Sequence, residues 1–384
     1  MDSIRIAQSC ARDAAQAVAE FYAAVVQPRM ALVVFFCSCE YDLDALAEQM
    51  NRLFHGVLVA GCTSAGEIGP DGYRGHSLTG ASFSADSFVA VGGLLDGLSR
   101  FDIATGNELA QTLLQRLESK ASDASSDNSF ALMLIDGLSV REEPVADALQ
   151  HALGKVPLFG GSASDDLEFG KTLVFGDGSF KSDRAQLILI STALPFRVFK
   201  AQHFASGSER MVVTEADPKR RIVREINGLP AAVEYARLIG VDVSELDPEL
   251  FSASPLAVKI GGMDYMRSIQ KANPDGSLTF YCAIEEGLVL RIAHGVDMIS
   301  NLEQTFGEID AQIGQPSLVL ACDCILRNVE ASRQDIKQRI SDIFARNHVV
   351  GFSSFGEQYL GVHVNQTLTG VAIGQAQDTE SQHV

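Results

Sequence analysis

Apolar and polar positions follow one another along this chain in an order that occurs three times. Each time, an apolar run is followed by an amphipathic stretch and a second apolar run; the leading runs are residues 32–36, 130–135 and 318–321. Continuous apolar runs of this length are typical of strands buried on both faces, and the stretches between them are typical of crossover helices. The pattern predicts repeated strand–helix–strand units in an α/β or α+β fold.

A loop rich in glycine and serine follows the second apolar run of each unit. It is Gly-Cys-Thr-Ser-Ala-Gly-Glu at residues 61–67, Gly-Gly-Ser-Ala-Ser-Asp-Asp at 160–166 and Gly-Phe-Ser-Ser-Phe-Gly-Glu at 351–357. Glycine permits positive φ and lets the backbone approach another segment or a ligand closely. We expect the three loops to occupy equivalent places around a ligand crevice.

Further strands are predicted beyond each loop, and they make a mixed sheet with flanking helices the expected arrangement. A polar and apolar alternation with an Asn-Pro-Asp-Gly turn predicts a hairpin over residues 266–284, and an amphipathic stretch predicts a helix over residues 332–344. A chain of 384 residues with 46% hydrophobic content usually divides into two domains. We expect the boundary between about residues 210 and 240.

The chain carries a formal net charge of −19 at pH 7. This charge repels phosphate backbones and anionic membrane surfaces, so we expect neither nucleic acid nor a membrane as a partner. The sequence shows no secretion signal at its amino terminus and no apolar stretch of about eighteen residues. These features predict a cytoplasmic protein.

Seven cysteines suit a reducing compartment better than a disulfide framework. Cys37 with Cys39 and Cys322 with Cys324 stand two residues apart at the ends of two leading runs, where both thiols of a pair share one face of a strand. Each pair could bind a metal or sense redox state. Burial as small apolar side chains is the favoured alternative.

No familiar catalytic motif occurs at the Gly/Ser loops. Two of them have the spacing Gly-x-x-Ser-x-Gly, which places serine one residue later than the nucleophile elbow requires. Neither a P-loop nor a dinucleotide-binding Gly-x-Gly-x-x-Gly follows a predicted strand. We therefore expect no bound nucleotide and no enzyme.

Three features together resemble the FIST-domain proteins: the repeated loops, the phrase Leu-Phe-Gly-Gly-Ser-Ala at residues 158–163, and the stretch from Val213 to Asn-Gly-Leu-Pro-Ala-Ala at residues 227–232. The resemblance implies an N-terminal FIST domain over residues 1–220 and a C-terminal FIST domain over residues 221–374. Residues 375–384 are expected to form a disordered tail. FIST modules are sensory input domains for small ligands in bacterial signalling.

The chain also resembles the stand-alone, nitric-oxide-sensing haem proteins of the NosP type. This resemblance implies haem b as cofactor, nitric oxide as ligand, and a separate histidine kinase in a cyclic-di-GMP or biofilm pathway as partner. It leaves a homodimer open. Covalent haem attachment is not expected, because the sequence has no Cys-x-x-Cys-His.

A haem iron of this kind needs a neutral imidazole, an apolar slot and cations for the propionates. His203 is the first candidate for the metal ligand, because strand alternation puts its ring on the same side as Phe199. Arg210, Arg220 and Arg221 follow closely enough in sequence to be candidates for the propionates. His294, at a predicted strand end, is the second candidate ligand. A half-buried histidine that is hydrogen-bonded to a backbone carbonyl is the alternative for His203.

Two functions without haem stay open from the sequence. In the first, the loops bind a small ligand such as an amino acid, with carboxylates for its ammonium group and loop amides for its carboxylate; the candidate residues are Ser64, Glu67, Ser162, Ser354 and Glu357. His348 and His363 flank the third loop and could face the same crevice. In the second, the protein is an adaptor with an empty pocket.

Overall fold

The structure, a computed structural model, describes residues 3–165, 168–260 and 262–375. Within these ranges the chain forms mixed sheets with helices packed against them. The predicted fold class is therefore confirmed, and it is of the α+β kind. The predicted tail lies outside the described residues except for Gln375, as does the end of the second Gly/Ser loop at Asp166.

The first of three structural repeats contains the first predicted strand–helix–strand unit. Its elements are β1 (Ile4–Ser9), α1 (Ala14–Val25), β2 (Met30–Ser38), α2 (Leu43–Leu53), β3 (Leu58–Ser64), β4 (Glu67–Gly69), β5 (Gly72–Arg74) and β6 (Leu78–Ser84). Strands β2 and β3 are parallel, whereas β6 pairs antiparallel with both β2 and β1. The four long strands stand in the order β1-β6-β2-β3.

The second repeat has the same order of elements and the same strand pairing. It contains β7 (Phe88–Asp96), α3 (Ile103–Lys120), β8 (Ser129–Asp136), α4 (Glu142–Leu153), β9 (Leu158–Ala163), β10 (Val174–Gly176), β11 (Ser179–Lys181) and β12 (Arg184–Thr192). Strands β8 and β9 are parallel, and β12 lies antiparallel between β8 and β7. The strands added beyond each loop are thus antiparallel, as a mixed sheet requires.

The third repeat begins with β13 (Phe196–Gln202) and is then interrupted by an inserted region. The insertion contains β14 (Phe204–Ser206), β15 (Met211–Asp217), β16 (Ile222–Ile226), β17 (Leu229–Pro230), α5 (Ala231–Ile239), α6 (Pro248–Ala253), β18 (Leu256–Ile260), β19 (Met263–Arg267), β20 (Ile269–Ala272), β21 (Leu278–Phe280) and β22 (Val289–Gly295). These strands form one antiparallel sheet with its own apolar core. The predicted hairpin is present as β20 and β21.

After the insertion the third repeat resumes with a helix and completes its sheet. Its remaining elements are α7 (Met298–Ile313), β23 (Leu318–Cys324), α8 (Ile325–Arg333), α9 (Lys337–Arg346), β24 (Val349–Ser354), β25 (Glu357–Tyr359), β26 (Val362–Val364) and β27 (Thr367–Ile373). The single helix predicted over residues 332–344 is wrong in its bounds. Asp335 has a left-handed φ of 55° between α8 and α9, and this conformation ends a helix.

The short hairpin of each repeat belongs to the sheet of another repeat. Hairpin β10–β11 extends the first sheet at β3, β25–β26 extends the second at β9, and β4–β5 extends the third at β24. This exchange closes the three repeats into a ring. The sequence pattern did not predict these hairpins, because strands of three residues carry little periodicity.

The main core lies between the three sheets, where they face one another. Phe36 of β2 stacks on Phe352 of β24 with ring centroids 4.4 Å apart, and Phe130 of β8 belongs to the same apolar cluster. Helices cover the other face of each sheet and form separate apolar clusters with it. None of the helices in the described part of the chain is long and apolar enough to cross a membrane.

Candidate functional site

The three Gly/Ser loops meet and are joined by backbone hydrogen bonds. The N–H of Ser353 donates to the carbonyl of Gly66 at 2.8 Å, that of Ser162 to Gly356 at 2.9 Å, and that of Ser164 to Thr63 at 3.1 Å. Each bond joins a different pair of repeats, so the loops form a closed ring of contacts. The predicted equivalence of the three loops is confirmed.

The serine and glutamate of the first and third loops bind each other. Ser64 donates to Glu67 and Ser354 donates to Glu357, both at 2.5 Å between oxygen atoms. Glu67 also accepts the N–H of Ser77, the residue directly before β6, at 2.9 Å. These pairs hold the loop to the strand that follows it. The burial of Glu357 raises its pKa to about 8, although Ser354 favours the charged form.

The residues predicted to bind a small ligand at the loops are at most 1% exposed. Their oxygen atoms are engaged within the protein, so the structure gives Ser64, Glu67, Ser354 and Glu357 a place in holding the loops together. Ser162 differs, because its hydroxyl accepts a hydrogen bond from the amide of Gln358 at 3.0 Å. Gln358 in turn contacts His363, so Ser162 borders a second group of buried polar side chains.

His203 lies at the end of β13 and is fully buried, as are Phe199 and Ala201. Its Nε2 atom is 2.8 Å from a carboxylate oxygen of Glu330, and its Nδ1 atom is 2.8 Å from Nη1 of Arg327. An iron bound to His203 would first have to displace one of these partners. The predicted role of His203 as a haem ligand stays a prediction.

The other residues predicted around haem are not brought together with His203. Phe199 packs on Phe306 of α7 at 6.3 Å between ring centroids. Arg210 and His294 are both exposed, His294 near the end of β22 in the inserted sheet. Among the described residues no group of three or more histidine, cysteine, aspartate or glutamate side chains is arranged to hold a metal ion.

The exchanged hairpins carry an equivalent cross-strand pair in each repeat. The pairs are Ile68 with Tyr73, Phe175 with Phe180, and Gln358 with His363. In each case the first residue of the pair lies opposite a glycine of the neighbouring sheet strand: Gly351, Gly61 and Gly160, in the same order. Two of the pairs are apolar or aromatic, and their rings pack on Phe344 or Phe35. The third pair is polar at an equally buried position. Since burying polar groups costs free energy, this difference between repeats indicates a function rather than packing.

Around this third pair lies a set of buried polar side chains, here called the junction cluster: Arg267, Ser268, Gln358, His363 and Asn365. Each has at least one nitrogen or oxygen atom with no hydrogen-bond partner among the described residues, and none is more than 9% exposed. A Cβ atom on Gly356 would lie 2.6 Å from Nε2 of His363 and 2.9 Å from Nδ2 of Asn365, so these two nitrogen atoms are close together. Buried polar groups are nearly always paired, so several unpartnered ones in one place need an explanation.

The hydrogen bonds of Gln358 define the protonation of His363. The Gln358 amide nitrogen lies 3.0 Å from Oγ of Ser162 and 3.2 Å from Nδ1 of His363. With the amide oriented in this way, Nδ1 accepts and Nε2 carries the proton. Burial lowers the pKa of His363 to about 4, although Glu143 favours the protonated ring. His363 is therefore neutral at pH 7. Its Nε2 makes no hydrogen bond of good geometry, although the backbone of Tyr281 lies close enough to raise the pKa of the ring.

The inserted region is fastened beside the junction cluster by a buried ion pair. Arg221, 5% exposed, lies 2.6 Å from Glu142 and 2.5 Å from Glu143 in the first turn of α4. Arg221 also donates to the carbonyl of Tyr281, and the N–H of Ala283 donates to Glu143 at 2.6 Å. Burial raises the pKa of Glu142 to about 7, against the attraction of Arg221. We call these three charged residues the Arg221 latch.

Sequence reasoning did not find the junction cluster apart from His363, which was noted only as a neighbour of the third loop. Gln358 and Asn365 are ordinary surface residue types, and Arg267 was assigned to a predicted hairpin. An alignment of the three hairpins would have exposed the polar pair. That alignment depends on strands too short to recognise without the structure.

Both cysteine pairs lie at strand ends, as predicted. Cys37, Cys322 and Cys324 are buried, and burial raises the pKa of each thiol well above its usual value. Cys39 is partly exposed. Neutral buried thiols behave as small apolar side chains, which agrees with the favoured alternative.

Two family models match the chain. The FIST N domain matches residues 31–229 and the FIST C domain matches residues 231–360. The chain therefore belongs to the FIST family, whose domains are sensory domains of signal transduction. The expected domain bounds of 1–220 and 221–374 stay predictions. No curated protein matches the chain.

The solved structures that resemble this one include two cyanuric acid hydrolases. One was described as an evolutionary innovation by structural concatenation; it has 10% identity and a TM-score of 0.37, with 97% of this chain and 99% of that chain covered. The other, from A. caulinodans, has 9% identity and a TM-score of 0.35, with 98% and 100% covered. The sequence-based prediction that the protein is not an enzyme is contradicted by these matches, because both matched proteins are hydrolases. Similarity at this level assigns no activity to the chain.

Proposed function

We propose that this protein is a sensory protein that binds a small polar ligand, such as an amino acid, at the junction cluster. The observation that carries the proposal is the set of buried side chains with unpartnered donor and acceptor atoms. Gln358 offers an acceptor, His363 a donor, and Asn365 one of each. A small ligand with both kinds of group would satisfy all three. The FIST membership supports a sensory role.

The internal repeats support this location over the Gly/Ser loops themselves. The serine and glutamate pairs at two of the loops already satisfy each other. The junction cluster occurs at one of three equivalent hairpins. The other two carry apolar or aromatic side chains, and the one hydroxyl among them, that of Tyr73, donates to Asp323. Because the pair has unpartnered polar atoms at only one of the three hairpins, the arrangement suits a single ligand per chain.

The test replaces the polar pair by the apolar kind found in the other repeats, as Gln358→Leu with His363→Phe. We expect the ligand-free double variant to be more stable than the wild type by about 1–3 kcal/mol, because two unsatisfied polar groups are removed. Thermal melting in the presence of each amino acid measures binding, since a ligand at about 100 times its Kd adds about 2.7 kcal/mol. The wild type should respond to at least one amino acid and the variant to none.

The matched control is Phe175→Leu with Phe180→Leu, at the equivalent hairpin of the second repeat. It should be less stable than the wild type, because it removes buried aromatic contacts, and it should keep the ligand response. A ligand response that survives in the Gln358→Leu, His363→Phe variant would contradict the proposed site.

The haem-based nitric oxide sensor, with a histidine kinase as partner, rests on family resemblance alone. The contacts of His203 with Glu330 and Arg327 favour a structural role for that residue. An absorption spectrum of protein produced with ample haem precursor decides between the two functions. A Soret band that nitric oxide shifts, and that His203→Ala removes, would restore the haem function in place of the one proposed.

A further inference from the structure

Arg267 differs from every other buried arginine in the described ranges. Arg184, Arg221 and Arg327 each lie within 2.7 Å of a carboxylate oxygen, from Asp96, Glu142 and Asp323 respectively. Arg267 is 9% exposed, and no carboxylate of residues 3–165, 168–260 or 262–375 forms an ion pair with it. Its guanidinium donates through Nη1 to the carbonyl of Met266 at 3.4 Å, and Nε has no partner.

The guanidinium group of Arg267 cannot become neutral by losing its proton, because arginine stays charged in proteins. A buried charge without a counter-charge costs free energy, and proteins normally supply a partner or neutralise the group. The three other buried arginines show that this fold supplies carboxylate partners where arginine is structural. The guanidinium of Arg267 is thus available to bind an anion from outside the protein.

The side chains of the junction cluster beside Arg267 are uncharged and include several hydrogen-bond donors. Glu143, the carboxylate whose charge reaches His363, is already bound to Arg221 and to the N–H of Ala283. Ser268, next in the chain, has an unpartnered hydroxyl, and Asn365 has an unpartnered amide nitrogen. Strand β19, which Arg267 ends, contacts β26, which carries His363, and the charge of Arg267 contributes to lowering the pKa of that ring. Donors of this kind, together with one guanidinium, match the oxygen atoms of a carboxylate.

We propose that the ligand carries a carboxylate group and that Arg267 binds it. This inference rests on the proposed function and specifies the ligand class of the same site. Arg267 ends β19 in the inserted sheet, whereas His363 and Asn365 belong to the third repeat. The carboxylate therefore bridges the inserted region and the repeats. Its binding adds an ionic contact beside the Arg221 latch and tightens the junction that the ligand occupies.

The first experiment needs no ligand and compares melting temperatures of the ligand-free protein. Arg267→Met removes an uncompensated buried charge, so we expect the variant to melt at least about 2 °C above the wild type. Arg221→Met removes one partner of a buried ion pair and should melt below the wild type. A ligand-free Arg267→Met protein that melts below the wild type would overturn the inference, because it would show that the charge is already compensated.

The second experiment uses matched probes on the full-length protein. Each amino acid is tested beside its carboxamide, and sodium acetate, sodium chloride and inorganic phosphate are tested as simple anions. We expect the acid to raise the melting temperature of the wild type, its carboxamide to have no effect, and Arg267→Met to lose the response to the acid. Arg267→Lys should keep part of the response to the acid, because lysine keeps the positive charge but lacks the paired N–H donors of arginine.

The outcomes separate this inference from the proposed function. Equal stabilisation by an acid and its carboxamide, lost in Gln358→Leu, His363→Phe but kept in Arg267→Met, leaves the site in place and overturns the role of Arg267. Stabilisation by acetate that Arg267→Met removes, without any effect of the amino acids, supports the carboxylate site and overturns the amino-acid class. Chloride as effective as every carboxylate would mean an adventitious ion only, and it would overturn the inference.

Discussion

At the scale of single residues, buried polar side chains that are close in the chain differ in whether their hydrogen bonds are satisfied. Glu357 and Glu67 are buried carboxyl groups with hydroxyl partners, and they hold loops to strands. Gln358, one residue further on, is equally buried but leaves its carbonyl oxygen unpartnered. Satisfied polar groups stabilise a fold, whereas unsatisfied ones indicate a site that something else completes.

The raised pKa of Glu357 gives the stability of the protein a distinct pH dependence. The folded carboxyl has a pKa of about 8 and the ordinary value is 4.5, so the folded state retains a proton that the unfolded state loses. This contribution is complete below pH 4.5 and is lost as the pH rises towards 8. We expect Glu357→Gln to remove it. Urea unfolding at pH 5 and pH 8 measures the effect: the gap in stability between variant and wild type should shift in favour of the variant at pH 8. A gap independent of pH would contradict the raised pKa.

At the scale of elements, three-residue hairpins decide how the repeats fit together. Each hairpin is too short to be stable by itself, and each gains further strand pairing as the edge of another repeat's sheet. The hairpin β25–β26 also contacts the inserted region, through β19. The inserted sheet, the first turn of α4 and this hairpin thus share one junction. A ligand held there acts on all three elements.

The Arg221 latch joins the inserted region to α4 through buried ion pairs. Arg221→Met leaves Glu142 and Glu143 buried without their cation, and we expect a loss of about 3–5 kcal/mol of stability. Arg224→Met is the control, because Arg224 is half-exposed and lies 3.5 Å from the exposed Glu215; its loss should stay below about 1 kcal/mol. Equilibrium urea unfolding measures both variants. Equal effects would mean that the latch does not hold the junction.

At the scale of the whole molecule, the exchange of hairpins joins the three repeats into one ring. No repeat has a complete six-stranded sheet without a hairpin from another repeat. The loops meet at the same closed contact, so loss of one repeat removes hydrogen bonds from the other two. We expect the three repeats to unfold together rather than one at a time.

Gly351→Ala tests this cooperativity. A Cβ at Gly351 would lie 1.9 Å from the carbonyl oxygen of Ala321, so the neighbouring strand must move, and we expect a loss of about 3 kcal/mol or more. Hydrogen exchange should show the same loss in β3 and β9, which belong to the other two repeats. Gly307→Ala is the control, because Gly307 lies in helix α7 and a Cβ there would have no atom within 4 Å. This variant should be more stable than the wild type by about 0.5–1 kcal/mol. Loss of protection confined to the third repeat would contradict a cooperative ring.

The sequence alone determined the repeated strand–helix–strand units, the three Gly/Ser loops and the family. These features depend on local periodicity and on glycine at close strand contacts, which are properties of neighbouring residues. Only the tertiary structure decided that the hairpins exchange, that the loop glutamates bind their own serines, and that the strand of Arg267 packs beside that of His363. Those contacts join residues far apart in the chain, and their energies depend on burial and on partners that no local pattern encodes.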